Sequence, residues 1–243
     1  MKKYFLSLVA MAAMLFATSC QESLVEPQME GLTTFTVQLP DGMGTKASFG
    51  GYELINRVYV EVHSADGAQL IYKPEDFVAF DASTNSATVT LNLIQDQAYD
   101  IVFWAQNGEA YNVSNLKAIQ MNNLHHNSES GAAFFAKLDN FVPNGTSNEV
   151  KLRRPFAQLN LGTTAASLET NAGRVNLSTA AITVGNVATT FNALIGYGEG
   201  EQTITFEAKS VPTTQPLTVN TTEYKYISMD YLPIAEMPKQ LLP

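Results

Sequence analysis

Apolar and polar residues alternate in short runs along this chain. Thr33-Thr34-Phe35-Thr36-Val37-Gln38-Leu39 sets Phe35, Val37 and Leu39 on one face and threonine or glutamine on the other. Val58, Val60 and Val62 repeat the pattern, and so do Val89, Leu91 and Leu93. A period of two rich in β-branched residues marks half-buried strands. The run 99–105 differs: Tyr99, Ile101, Phe103 and Ala105 form one face, while Val102 and Trp104 make the other apolar too. That strand is expected to be buried on both sides.

Turn signals separate these runs. Asp41-Gly42, Asp66-Gly67, Asn107-Gly108 and Asn144-Gly145 are dipeptides that readily take positive φ. Ser64-Ala65-Asp66-Gly67 is a hairpin candidate. Residues 109–133 are polar and predict a long loop with one short helix near Leu116–Met121. Strand character returns from Ala133 to Leu138. A boundary is expected at Val142-Pro143-Asn144-Gly145-Thr146, after which Val150 to Gly162 opens a new strand series. Ile182–Val184, Gln202–Ala208 and Tyr224–Met229 continue it. Many short strands with close turns indicate an all-β sandwich fold. No period of repeat length recurs, so a solenoid is not expected.

The first residues follow another pattern. Lys2 and Lys3 precede an apolar stretch from Tyr4 to Ala17, and Ala17-Thr18-Ser19 puts small residues before Cys20, the one cysteine of 243 residues. This is the layout of a bacterial lipoprotein signal peptide over 1–19. The apolar run is shorter than the roughly 20 residues of a membrane-spanning helix. The prediction is a lipidated Cys20. Plain secretion, cut after Ser19, is the alternative, and it would leave an odd exported thiol, unusual unless it has a job. More than one acyl chain holds a protein firmly, since each buried methylene contributes about 0.8 kcal/mol. Residues 20–31 lack an apolar period and read as a flexible tether.

Loss of residues 1–19 removes two of 14 basic residues and no acid, leaving 12 against 23 acidic and a net charge of −11. Such a surface argues against nucleic-acid partners and against electrostatic binding to anionic lipid. No nucleophile elbow, phosphate loop or zinc spacing occurs, so no catalytic, cofactor or metal residues are predicted. His125-His126 read as a polar loop, His63 as an exposed turn residue and Glu75-Asp76 as a turn beside Pro74. Trp104 reads as core, whereas Tyr111 and Tyr197 are the better candidates for exposed contacts.

Together, the lipoprotein start, the early strand before Thr45-Lys46-Ala47, the 99–105 strand and the run Leu152-Arg153-Arg154-Pro155-Phe156-Ala157-Gln158-Leu159-Asn160 resemble fimbrillin-like, type V pilin-related lipoproteins. These come from anaerobic Gram-negative gut and oral bacteria. The resemblance implies two tandem transthyretin-like β-sandwich domains, placed here at 32–145 and 146–243. It also implies, for polymerising members, a surface protease that cuts after a basic residue following the first strand. On this chain that residue is Lys46, before Ala47, and the removable strand carries Phe35, Val37 and Leu39. Anchor-type members keep their first strand, and Lys46 is then a solvated lysine in a turn. About 90 residues after 151 is short for the second domain, and Glu236–Pro243 lack an alternating strand. The expectation is an incomplete second domain, or a cap or anchor without a terminal strand to donate.

The functional expectation is a surface lipoprotein of the outer membrane, structural or adhesive, acting as fimbrial subunit, anchor or tip component. Its partners would be the membrane through its lipid, other fimbrial subunits or surface ligands. The alternative is a non-polymerising glycan-binding lipoprotein of a polysaccharide-uptake system, which needs exposed aromatics in a row on one face.

Overall fold

A computed structural model describes residues 30–40, 54–120, 126–164, 178–213 and 216–233. Cys20, Lys46, Ala47 and the turn at Asp41-Gly42 lie outside them. Nearly every regular element is a strand: β1 (Glu30–Gln38), β2 (Arg57–Ser64), β3 (Leu70–Tyr72), β4 (Val78–Ala79), β5 (Ser86–Ile94), β6 (Tyr99–Gln106) and β7 (Ile119–Gln120). These are followed by β8 (Ala133–Phe141), β9 (Ser147–Lys151), β10 (Phe156–Thr163), β11 (Thr179–Asn192), β12 (Tyr197–Ser210), β13 (Leu217–Val219) and β14 (Thr222–Pro233). The all-β expectation holds.

One sheet has the order β5-β1-β9, and a second runs β3-β2-β6-β8 with β4 also on β2. They face each other across a core of Phe35 and Val37 from β1, Val89 and Leu91 from β5, Val150 from β9, Val60 from β2, Phe103 from β6 and Phe134 from β8. The alternation seen in the sequence is the reason. In β5 every second residue from Ala87 to Leu93 is buried and those between are exposed.

All eight residues of β6 are buried, because its sheet is covered on both faces. Tyr99, Ile101, Phe103 and Ala105 enter the first core. Val102 and Trp104 enter a second, with Phe135 of β8, Phe156, Phe191, Met229 and Tyr231. The strands behind that second core form two three-stranded sheets, β10-β14-β13 and β12-β11-β7. Val184, Val187, Ile204, Phe206 and Leu232 pack these two sheets together.

Three expectations change. β9, expected to open the second domain, pairs in parallel with β1 from Thr34↔Ser147 to Gln38↔Lys151, and Val150 and Leu152 lie in the first core. The first sandwich therefore runs past the boundary placed at 145. No helix occupies 116–120. Asn115 accepts the Lys117 N–H at 2.8 Å in a tight turn, and β7 follows, pairing with β11. Leu116 and Ile119, three apart and both buried, fit such a turn as well as a helix. Tyr111 is buried, not exposed: it packs edge-on to Trp104 at 5.6 Å, and its hydroxyl donates to the Gly131 carbonyl.

The turn chemistry reads as expected where it is described. Gly67 has φ +67°, and its N–H donates to the Ser64 carbonyl at 2.7 Å, closing the β2–β3 hairpin.

Trp104 is the side chain on which the second core closes. It touches Tyr111, Phe156 and Phe191 at 5.6–5.8 Å between ring centroids, and its Nε1–H donates to Gln106 at 2.8 Å. Trp104→Ala should cost about 3–5 kcal/mol, since the cavity cannot collapse between two fixed sheets. Urea unfolding followed by circular dichroism checks this, and a loss below about 1 kcal/mol would mean the second core is loosely packed.

Candidate functional site

The first strand is a middle strand. β1 pairs antiparallel with β5 without a register break, from Glu30↔Ile94 to Gln38↔Ser86, and parallel with β9 on its other edge. Beyond its end, the Leu39 N–H donates to the Asn85 carbonyl at 3.3 Å and Gln38 accepts from the Leu152 N–H at 2.9 Å. Phe35 and Val37 are 0% exposed and Leu39 4%. The Phe35 ring lies 5.5 Å from Phe103 and 5.2 Å from Phe141. The opposite face, Thr34, Thr36 and Gln38, is half-buried.

Three such side chains contribute roughly 5–9 kcal/mol by burial alone. Removing the strand would strip main-chain partners from both β5 and β9 and open an apolar groove between them. An incoming strand with the same alternation can satisfy both edges and fill the groove. Of the residues singled out in the sequence, Phe35, Val37 and Leu39 come together here as one face of one strand. Lys46 and Ala47 lie outside the described residues.

Two buried polar clusters were not anticipated. His63, expected to be exposed, is 1% exposed on the second face of the β2–β6 sheet. Its Nε2 lies 3.1 Å from Glu61, whose carboxylate also accepts from Lys73 Nζ at 2.9 Å and the Leu116 N–H at 3.1 Å. Lys73 in turn donates to the carbonyls of Val113 and Ser114. This carboxylate ties the 113–116 segment over the sheet. A one-dimensional reading gives no sign of that cover.

His126, expected in a polar loop, is likewise buried. Its Nδ1 is 2.7 Å from Asp230, its Nε2 is 2.9 Å from the Ala180 carbonyl, and Ser228 donates to the other oxygen of Asp230 at 2.7 Å. The three residue types match a hydrolase triad, but the order is wrong for one. The hydroxyl bonds the carboxylate and not the imidazole, and Ser228 is fully buried, so it cannot reach a substrate. The cluster fastens the 126–127 turn to β14 and β11. Among the described residues no group of three His, Cys, Asp or Glu could hold a metal ion. No helix among them is long and apolar enough to cross a membrane.

A family of unknown function, DUF6562, matches residues 26–242. The chain belongs to the DUF6562 family. No curated protein matches it. Among solved structures, the fold of this DUF6562 chain is similar to that of "putative polysaccharide binding proteins (DUF1812)" from Bacteroides thetaiotaomicron, with TM-score 0.56 and 13% identity over 86% of this chain and 74% of that one. A "putative adhesin" from Bacteroides ovatus matches with TM-score 0.48 and 13% identity over 88% of this chain and 71% of that one. The fimbrial anchor protein Mfa2 of Porphyromonas gingivalis matches with TM-score 0.42 and 12% identity over 85% and 75% of the two chains. At these identities the likeness concerns the fold.

Burial by itself would raise the Glu61 carboxyl, but hydrogen bonds from His63, Lys73 and the Leu116 N–H outweigh it and hold the group below its ordinary value of 4.5. A depressed folded value stabilises the protein above the unfolded value, and that stability is lost as pH falls through the folded one. Urea midpoints measured from about pH 7 to about pH 3 should therefore fall less steeply for Glu61→Gln than for the parent, though the variant starts less stable. Parallel curves would show that Glu61 does not carry this acid sensitivity.

Proposed function

We propose that this DUF6562 chain is a lipid-anchored surface protein with a structural or adhesive role, whose first strand is exchangeable. The observation that supports this most is the placement of β1. The strand nearest the N-terminus among those described fills the slot between β5 and β9 and supplies the fully buried face Phe35, Val37 and Leu39.

In this reading Cys20 carries the lipid that holds the protein at the outer membrane. A cut between Lys46 and Ala47 then separates β1, and with it the lipidated Cys20, from the rest of the fold. The vacated groove takes a strand from a neighbouring fimbrial subunit. The first domain closes with β9, near residue 152, and the second begins with β10, because β9 is needed as one wall of the groove. Without the cut, the same protein serves as an anchor or cap.

A second reading, glycan binding, draws on the fold likeness to a protein described as polysaccharide-binding. It asks for a row of exposed aromatics. Tyr72 and Phe77 are exposed and both flank β2, but the Arg57 guanidinium covers the Phe77 ring at 4.5 Å. Retention on polysaccharide affinity gels separates this reading from the first.

Thr36 and Thr88 are directly paired across β1 and β5 on the face away from the core. Cross-strand partners lie about 4.5–5.5 Å apart, within reach of a disulfide. The double variant Thr36→Cys/Thr88→Cys should therefore abolish the ladder on mild SDS gels that follows trypsin-like treatment, and reductant should restore it. A ladder that persists in the oxidised variant, or none in the parent, would rule out strand exchange at β1.

A further inference from the structure

A cleft of about 450 Å³ lies beside the first sandwich. Its walls come from β8 (Ala136, Lys137, Asp139), the β9–β10 segment (Lys151, Arg153) and the β11–β12 turn (Ala193 to Gly196). Small-molecule sites occupy about 300–1,000 Å³, so the volume suits a compact ligand. Three of its lining residues are cations, in a chain whose net charge is −9.

These cations differ in how they are held. Lys137 is engaged: its ammonium lies 3.1 Å from Asp100 and pairs with Asp139. Arg153 is held differently. Its guanidinium lies over the Phe135 ring at 4.7 Å, and its own backbone is fixed to Phe135 by two hydrogen bonds of 2.8 Å. Among the described residues no carboxylate pairs with it. The turn closes over it at Gly196, where φ is +82° and a Cβ would come within 3.3 Å of Nη2. Glycine is favoured there by conformation, and a Cβ would press on the guanidinium. Ring and turn thus orient a planar fork of N–H donors that is exposed to solvent, the geometry that recognises a carboxylate by two hydrogen bonds.

The rest of the lining narrows the ligand. Asp139 stands on the same wall and is exposed. It repels a dianion, but its second oxygen can accept from a hydroxyl. Ile195 is exposed and offers an apolar side chain against which a ring face can rest. A cation for one carboxylate, an acid for hydroxyls and an apolar side chain together describe an acidic sugar.

We infer that the cleft between β8 and the β11–β12 turn binds a uronate-type sugar unit, its carboxylate on Arg153 and a hydroxyl on Asp139. The site does not depend on strand exchange, and its test is separate from the ladder assay.

Titration calorimetry on the full chain with a galacturonate disaccharide, and with the matching neutral disaccharide, tests the site. Binding of the uronate should be saturable and should weaken with salt, while the neutral sugar gives no heat. Arg153→Gln should weaken binding about tenfold or more, as loss of a charge-assisted bidentate contact does. Lys151→Glu, at an exposed position, should also weaken it, with circular dichroism unchanged in both variants. The inference is overturned if the uronate gives no heat or if the neutral sugar binds equally. It is overturned too if neither variant changes the affinity, or if an oligoglutamate peptide binds in preference to the sugar.

Discussion

The whole arrangement depends on one strand being buried on both faces. β6 sends alternate side chains into two cores, so the sheet it belongs to is the shared wall of both. Burying a polar group in such a wall is costly unless it is hydrogen-bonded. The polar side chains of β6 are tied: Gln106 accepts from the Trp104 indole and donates to the Gly108 and Tyr111 carbonyls, and Asp100 pairs with Lys137 and accepts the Asn140 N–H. On β2, His63 bonds Glu61 through Nε2, while its buried Nδ1 has no hydrogen-bond partner among the described residues. The neighbouring β8 repeats the division, with Phe134 in the first core and Phe135 in the second.

The run Arg153-Arg154-Pro155-Phe156 gains a physical meaning from that wall. Arg153 lies over Phe135 and Arg154 over Phe134, so successive arginines cap successive phenylalanines that point into opposite cores. Phe156 then enters the second core against Trp104. The run is the seam at which the chain passes from one core to the other. It also places the Arg153 guanidinium at the mouth of the cleft. A segment that joins two packing layers thereby presents a cation, which is why a structural element and a candidate binding element coincide in it.

Much of this was legible from period alone. The alternation in 33–39, 58–62 and 89–93 named the residues of the first core, and the double-sided run at 99–105 marked the shared wall. What escaped was everything set by partners distant in sequence. β9 carries one buried apolar residue in five, so nothing local shows that it walls the β1 slot. His63 and Tyr111 look like loop residues until the 110–119 segment folds back over the sheet. His126 looks polar until Asp230, more than a hundred residues on, meets it. Arg153 was visible only as part of a motif, because the turn that orients it lies at 193–196. Short-range pattern encodes burial, whereas the sites arise where remote segments close on one another.

The functional account rests on β1 being replaceable without loss of the remaining fold. Native mass spectrometry tests this most directly, using protein cut after Lys46 and mixed with an isotopically labelled peptide of residues 30–40. The account predicts that the heavy peptide displaces the resident strand one for one, leaving a folded complex of the expected mass. A cut protein that unfolds without taking up the peptide, or that never releases its own strand, would contradict it.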